Sequence, residues 1–305
     1  FDKWSNVIIV NIKDGLGNQM FQYATGYVLA KKINTSVICD TRYLIEKKKK
    51  PPKDYVIREF DLDIFGIKAS KIETLKLLLT FQFFKNYVVR HNVTKLLDKF
   101  NQNVLMERSR KIDLRIIKNK KKNLYIDGYW QSEEYFKEYR NDIIKLFNFD
   151  DLIHKKTNIM FKNEINFEYD VCLNVRRTDH LKSKELNAVT INYYINSINY
   201  FKKILNKSFK IYVFSDDLEW CRKNFNKNGN FKFVEHDLAG EKFKNYLYLM
   251  SCFKNFIIPN SSFAWWAAWL SKCDNKIIIA PKNWSGLIKE SEIDTVPKNW
   301  VRIDN

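Results

Sequence analysis

The chain has 305 residues and 45% hydrophobic side chains, enough for two domains with buried cores and too apolar for a disordered protein. Its 8 Gly and 5 Pro exclude collagen-like, Gly/Ser-linker and Pro-rich classes. Lys and Arg total 53 against 35 Asp and Glu, and the net charge of +18 favours an anionic partner such as a phosphate-bearing substrate, an acidic membrane surface or nucleic acid. The basic residues are spread along the whole chain without a nucleic-acid-binding module, which argues against nucleic acid. The surplus then reads either as approach to an acidic bilayer or as a coding bias without function.

Cys39, Cys172, Cys221, Cys252 and Cys273 are scattered and never form a CxxC, so neither a disulfide framework nor a zinc cluster is expected, and a reducing compartment fits. The longest uncharged run, 255–271, falls short of a membrane span and is polar in its middle. The chain opens on Phe1 rather than Met, which leaves room for a leader or anchor removed before it.

In chain order, the apolar run 7–10 predicts a buried strand. A break follows at Asp14-Gly15-Leu16-Gly17-Asn18, then a helix carrying Met20, Phe21, Ala24, Tyr27 and Val28 at helical spacing, then a second strand over 35–39. Residues 46–58, with Pro51-Pro52, read as a basic surface loop, and 70–118 as helical. A strand is expected over 123–128 and a helix over 133–147, with a domain boundary in the polar stretch 148–168. The second half alternates. Strands are expected over 169–175, 210–214, 231–234, 255–258 and 276–280, with helices over 190–205, 218–224, 246–252 and 261–270. Such alternation means parallel sheets with right-handed crossovers, read here as two doubly wound α/β domains facing a cleft.

In these sheets ligands sit at the carboxyl ends of strands, where helix N-termini point. Four polar clusters occupy that position. Gly15-Leu16-Gly17-Asn18-Gln19 lets backbone approach a ligand, although it lacks the GxGxxG dinucleotide fingerprint and reads equally well as a tight turn. Asn174-Val175-Arg176-Arg177-Thr178-Asp179 puts two guanidinium groups just past a buried strand, where an arginine fork suits diphosphate oxygens. Strand alternation aims the two arginines to opposite faces, so one is expected on the ligand and the other held by Asp179. Asn260-Ser261-Ser262-Phe263 opens a helix whose free amides suit an anion, while Trp265 and Trp266 read as core. Ser215-Asp216-Asp217 offers acceptors for ribose hydroxyls or a guanine edge, or a helix cap. Asp61-Leu62-Asp63 has the form of a metal-binding DxD but reads as an ordinary turn, and no metal-ligand spacing is present.

Gly15-Leu16-Gly17-Asn18-Gln19-Met20-Phe21-Gln22-Tyr23-Ala24, Gly128-Tyr129-Trp130-Gln131-Ser132, Val175-Arg176-Arg177-Thr178-Asp179, Phe214-Ser215-Asp216-Asp217 and the run from Asn260 through Trp265-Trp266-Ala267-Ala268-Trp269-Leu270 resemble, in order, the blocks of the bacterial α-1,2-fucosyltransferases of glycosyltransferase family 11. The resemblance spans most of the chain. It implies a GT-B-like α/β fold, with 1–160 as a Rossmann-like domain on the acceptor side and 161–305 as one binding GDP-fucose. It further implies inverting transfer of L-fucose from GDP-L-fucose to the 2-hydroxyl of a terminal β-galactoside, as in O-antigen or oligosaccharide synthesis, with no cofactor and no required metal. The implied setting is the bacterial cytoplasm, with peripheral contact at an acidic inner membrane.

By matching position, Arg176 holds the donor β-phosphate. Asn260, Ser261, Ser262 and Phe263 lie at the diphosphate, and Gly15, Gly17, Asn18 and Gln19 approach it from the other domain. Asn174, Arg177, Ser215, Asp216 and Asp217 complete the expected donor site, and Asp179, His180 and Glu185 are candidates for taking the acceptor proton. Two departures stand out: Asn174 replaces the family's usual His, and Tyr246 stands where an acid is usual, which leaves Asn245, Asp216 or Asp217 to read guanine. The alternatives are a fucosyltransferase of another linkage, such as α-1,6, and a basic nucleotide- or nucleic-acid-binding protein.

Overall fold

The computed structural model describes residues 6–52, 56–70, 87–100, 103–149, 164–184, 186, 188–205, 207–225 and 230–305. The chain divides into two compact units, Phe1–Phe147 and Asn148–Asn305. The sequence expectation set the division at 160/161, within a stretch, 150–163, that lies outside the described residues.

The first unit is built on a parallel sheet of β1 (Val7–Asn11), β2 (Ser36–Asp40), β3 (Val104–Met106) and β4 (Asn123–Asp127), in the order β2-β1-β4-β3. Every residue of β1 is buried, as befits a central parallel strand covered on both faces. Helix α1 (Leu16–Lys32) returns from β1 to β2 and packs against the sheet. The approach is close: a Cβ on Gly26 would lie 2.3 Å from Val10 Cγ2, so only glycine fits where α1 crosses β1.

Helices α2 (Arg42–Lys49), α3 (Tyr87–Lys99), the single turn α4 (Leu114–Ile117) and α5 (Arg140–Leu146) complete the described helices of this unit. Three expectations are corrected here. The basic stretch expected as a loop from residue 46 is helical to Lys49, and Pro51-Pro52 follow its end. The span expected to be helical over 70–118 contains β3. Its first part, 71–86, lies outside the described residues. The helix expected over 133–147 begins as two 3-10 turns, Glu133–Tyr135 and Lys137–Tyr139, and becomes α-helical only at Arg140.

The second unit carries six parallel strands: β5 (Val171–Val175), β6 (Ile211–Ser215), β7 (Phe231–Phe233), β8 (Asn255–Ile257), β9 (Ile277–Pro281) and β10 (Val301–Ile303), ordered β10-β9-β8-β5-β6-β7. Counted from β5, this is the 3-2-1-4-5-6 order of the doubly wound nucleotide-binding sheet. Helices α6 (Ile191–Ile204), α7 (Leu218–Phe225), α8 (Lys244–Ser251) and α9 (Ser262–Leu270) connect the strands close to the expected positions. β10 was not expected. Its three residues, Val-Arg-Ile, are too few to show a period, and only pairing to β9 defines it.

The core of this unit joins Val171, Leu173 and Val175 of β5 to Tyr193, Ile198 and Phe201 of α6. Helix α9 is buried from Ala264 to Leu270. Trp265 lies within 6.0 Å of Trp266, Trp269 and Trp300, ring centroid to ring centroid, and donates its Nε1 hydrogen to Thr295 O at 2.9 Å. Lys276 Nζ donates to the carbonyls of Ala268, Trp269 and Ser271 at 2.8–3.1 Å, placing a cation on the helix's negative end. The Trp run is therefore core, as expected. Among the described residues no helix is long and apolar enough to cross a membrane.

Candidate active site

The second sheet reverses its direction of growth once, between β5 and β8, and in the first β1 and β4 are neighbours whose chain connections to β2 and from β3 lie on opposite sides. Loops leaving the carboxyl ends of such strand pairs diverge, and the crevice they open is where doubly wound sheets bind ligands. The motif clusters stand at these two switch points.

In the second unit β5 ends at Val175 and delivers Arg176 and Arg177. Arg176 forms a two-pronged pair with Asp179, Nε to Oδ1 at 2.8 Å and Nη2 to Oδ2 at 2.7 Å, and its Nε lies 3.3 Å from Asp216 Oδ2. Its Nη1 makes no hydrogen bond or ion pair among the described residues. Burial opposes the charge, but the Asp179 hydrogen bond and the Asp216 and Asp179 charges outweigh it, so the guanidinium pKa is raised. One edge is thus clamped by carboxylates while the other stays open.

Arg177 turns the other way. Its guanidinium lies 3.9 Å from the Trp220 ring centroid, with Nε 3.2 Å from Asp217 Oδ2. The divergence of the arginines follows the strand-alternation expectation, but the partners are reversed: Asp179 holds Arg176, and Asp217 with Trp220 holds Arg177. Both Asp179 oxygens are engaged by the guanidinium, so this carboxylate braces Arg176. Glu185 lies outside the described residues.

Ser215 and Asp217 act locally. Ser215 Oγ accepts from Asp217 N at 2.9 Å, and Asp217 Oδ1 accepts from Trp220 N at 3.0 Å, capping α7. Both residues thus serve the cap of this cluster. Asn174 is likewise internal: its amide donates to Phe214 O at 3.1 Å and ties β5 to β6.

Beyond β8, Asn260 is buried. Its amide donates to Leu186 O and to Trp284 O. It clasps the segment after the arginine pair, so the 174–179 and 260–263 clusters are linked through Leu186 and Asn260. Ser261 occupies the N-cap position of α9 without spending its side chain on the helix, and the first turn carries no acidic residue. The N–H groups at Ser262 and Phe263 are the kind that a helix start offers to an anion.

In the first unit, Gly15 is the N-cap of α1 and supplies no side chain to its first turn. A Cβ there would lie 3.6 Å from the Arg58 guanidinium carbon, so Arg58 stands over this helix start. Gly17 is buried in the first turn. Asn18 Oδ1 accepts from Gln131 Nε2 at 2.7 Å, and the Tyr129 hydroxyl donates to Asp14, so the Gly15 loop is tied to the Gly128-Tyr129-Trp130 block across the switch point. Gln19 is fully buried. Its amide donates to Asp14 O and Glu59 O, and its oxygen accepts from Asp61 N, which turns it into a brace for residues 59–61 rather than a ligand group.

Sequence reasoning missed Glu107, which accepts the N–H groups of Tyr129 and Trp130 at 2.8 and 2.9 Å and whose pKa burial pushes up. No motif marks it. Trp220 was also missed, although its place three residues after Asp217 is a usable capping signal.

His180 is 6% exposed, and burial together with the nearby Arg176 charge lowers its pKa, against the opposing effects of Asp179, Asp216 and Asn260. The unfolded chain therefore binds this proton more readily than the folded one, and stability falls as pH drops below the unfolded value of about 6.5. His180→Gln is expected to flatten that acid limb in thermal unfolding between about pH 7.5 and 5. An unchanged slope would remove His180 from the account.

Two parallel α/β units with motif loops at the carboxyl ends of their strands have the GT-B type of fold. The fold is shared with the α-1,6-fucosyltransferase NodZ, solved after soaking with GDP-fucose (TM-score 0.51, 13% identity, 87% of this chain and 92% of that one), and with NodZ from Bradyrhizobium (TM-score 0.50, 13% identity, 87% and 91%). The chain belongs to glycosyl transferase family 11, whose sequence profile matches residues 7–304. It is 31% identical over 311 residues to an alpha-1,2-colitosyltransferase of Escherichia coli (98% of this chain, 99% of that protein). It is 27% identical over 307 residues to the Escherichia coli O-antigen biosynthesis glycosyltransferase WbnK (96% and 99%).

Proposed function

We propose that this family 11 glycosyltransferase moves L-fucose, with inversion, from GDP-L-fucose to the 2-hydroxyl of a terminal β-galactoside in a surface glycan such as O-antigen. The observation that carries the reading is Arg176: a guanidinium held on one edge by Asp179 and Asp216, with Nη1 open, one strand from the uncapped start of α9. Cleaving a sugar–diphosphate bond passes through an oxocarbenium-like state while negative charge grows on the departing phosphate. A preset guanidinium and helix amides meet that charge without reorganising. Charge stabilisation of this kind needs no metal, and none is assigned.

In this reading Arg176 faces the β-phosphate, and the Ser261, Ser262 and Phe263 segment seats the diphosphate. With Asp216 and Asp217 committed within the protein, Asn245, in the first turn of α8, is left to read guanine. The acceptor proton passes to solvent or to Glu185. The +18 charge favours work at the cytoplasmic face of an acidic membrane.

A second donor is favoured by one observation, the 31% identity to a colitosyltransferase. Colitose differs from L-fucose only in lacking the 3-hydroxyl, so the same diphosphate site serves either sugar. The test is incubation with GDP-L-fucose and GDP-colitose, each with a panel of β-galactosides, reading the product linkage by NMR. The expected product is an α-1,2-linked fucosyl galactoside. Transfer of colitose alone reassigns the donor, and transfer of neither overturns the proposal.

A further inference from the structure

We propose that Asp216 is a positioning residue that holds the arginine loop in its donor-binding shape and makes no contact with the nucleotide. The inference rests on reading the site as one for a GDP-sugar. The sequence marks Asp216 as an acceptor for ribose or guanine, but the structure fills its carboxylate from within. Oδ1 accepts the Arg177 N–H at 2.9 Å. Oδ2 accepts the Thr178 N–H at 3.2 Å and the Thr178 hydroxyl, and lies 3.3 Å from Arg176 Nε. A carboxylate has about four lone-pair sites, and four donors converge on this one, whose side chain is 14% exposed.

The sheet register explains the convergence. Val175 of β5 stands opposite Ser215, the last residue of β6, so the residue that follows, Asp216, meets the backbone just as it leaves β5. Two successive amides, Arg177 and Thr178, point at the same carboxylate, and the turn they define sends the Arg176 side chain to Asp179 and the Arg177 side chain to Trp220. In Asp216→Asn one oxygen becomes an NH2 donor. It then faces either the Arg177 amide or the Thr178 and Arg176 donors, leaving N–H groups opposed rather than bonded.

The experiment measures binding of GDP and of guanosine to the full chain as wild type, Asp216→Asn, Arg176→Ala and the double variant, by calorimetry for GDP and ligand-observed NMR for guanosine. Asp216→Asn is expected to weaken GDP on the order of tenfold while guanosine stays within about twofold. In the Arg176→Ala background the same substitution is expected to change GDP affinity by less than about threefold, because the two act through one guanidinium. Equal weakening of guanosine and GDP, persisting without Arg176, would show that Asp216 touches the nucleoside and would overturn the inference. Unchanged GDP affinity in Asp216→Asn overturns it too, while leaving the donor reading standing. A wild-type chain that does not bind GDP overturns both.

Should Asp216→Asn fail to fold, Thr178→Val carries the test, since Thr178 is exposed and the change removes one of the four donors. It is expected to weaken GDP about threefold and leave guanosine unchanged. GDP binding equal to wild type in that variant decides against the proposal.

Discussion

Arg176→Ala is expected to lower kcat for transfer from GDP-fucose by on the order of 100- to 1000-fold, the range seen when one preset donor to a developing oxyanion is removed. The unfolding midpoint is expected to move little, because Arg176 and its partner Asp179 both keep solvent access and neither is left as an isolated buried charge. Arg176→Lys separates charge from shape. A lysine keeps the positive charge but cannot clasp both Asp179 oxygens while offering a second edge, so its kcat is expected to stay well below wild type. Steady-state kinetics with GDP-fucose decides the point, and near-normal turnover in the alanine variant would remove Arg176 from the mechanism.

Trp265→Ala is expected to produce the largest loss of stability, about 3–5 kcal/mol, as for other buried aromatic-to-alanine changes. Trp265 has no solvent exposure, and three other tryptophan rings pack around it. The cavity would open in the middle of α9, whose first turn is the proposed diphosphate seat, so activity should fall with stability rather than ahead of it. Trp265→Phe keeps most of the packing and gives up the bond to Thr295 O, and is expected to cost about 1 kcal/mol beyond the lost area. Urea unfolding of the three proteins measures both. A Trp265→Ala midpoint equal to wild type would mean that this ring is not part of the core.

The two substitutions separate the two kinds of residue that the motif blocks mix. Within the run from Asn260 to Leu270, Trp265 and Trp269 pack inward while Ser261 and Ser262 stand at the helix start. Within Val175-Arg176-Arg177-Thr178-Asp179, the Arg176 guanidinium is clamped by carboxylates on one edge and open at Nη1, and the neighbouring side chains hold it. A motif thus marks a place in the fold where ligand groups and their supports are interleaved, and it does not say which is which.

Local pattern was sufficient for the alternation of strands and helices in the second half, for both switch-point loops, and for the family. Buried five-residue parallel strands that are mostly apolar, followed by a polar strand end, carry their own signature. The three-residue strands β3 and β10 escaped it, because elements that short are defined by the neighbour they pair with and not by any period of their own. The reach of each polar side chain was equally invisible. Gln19, Asn174, Asp216 and Asn260 all read as ligand groups along the chain, and all four make hydrogen bonds to backbone 39 to 74 positions away. Residue type and spacing follow from the chain alone. Which donor meets which acceptor depends on register and crossover, since a buried polar group must be satisfied by whatever the packed sheet brings beside it.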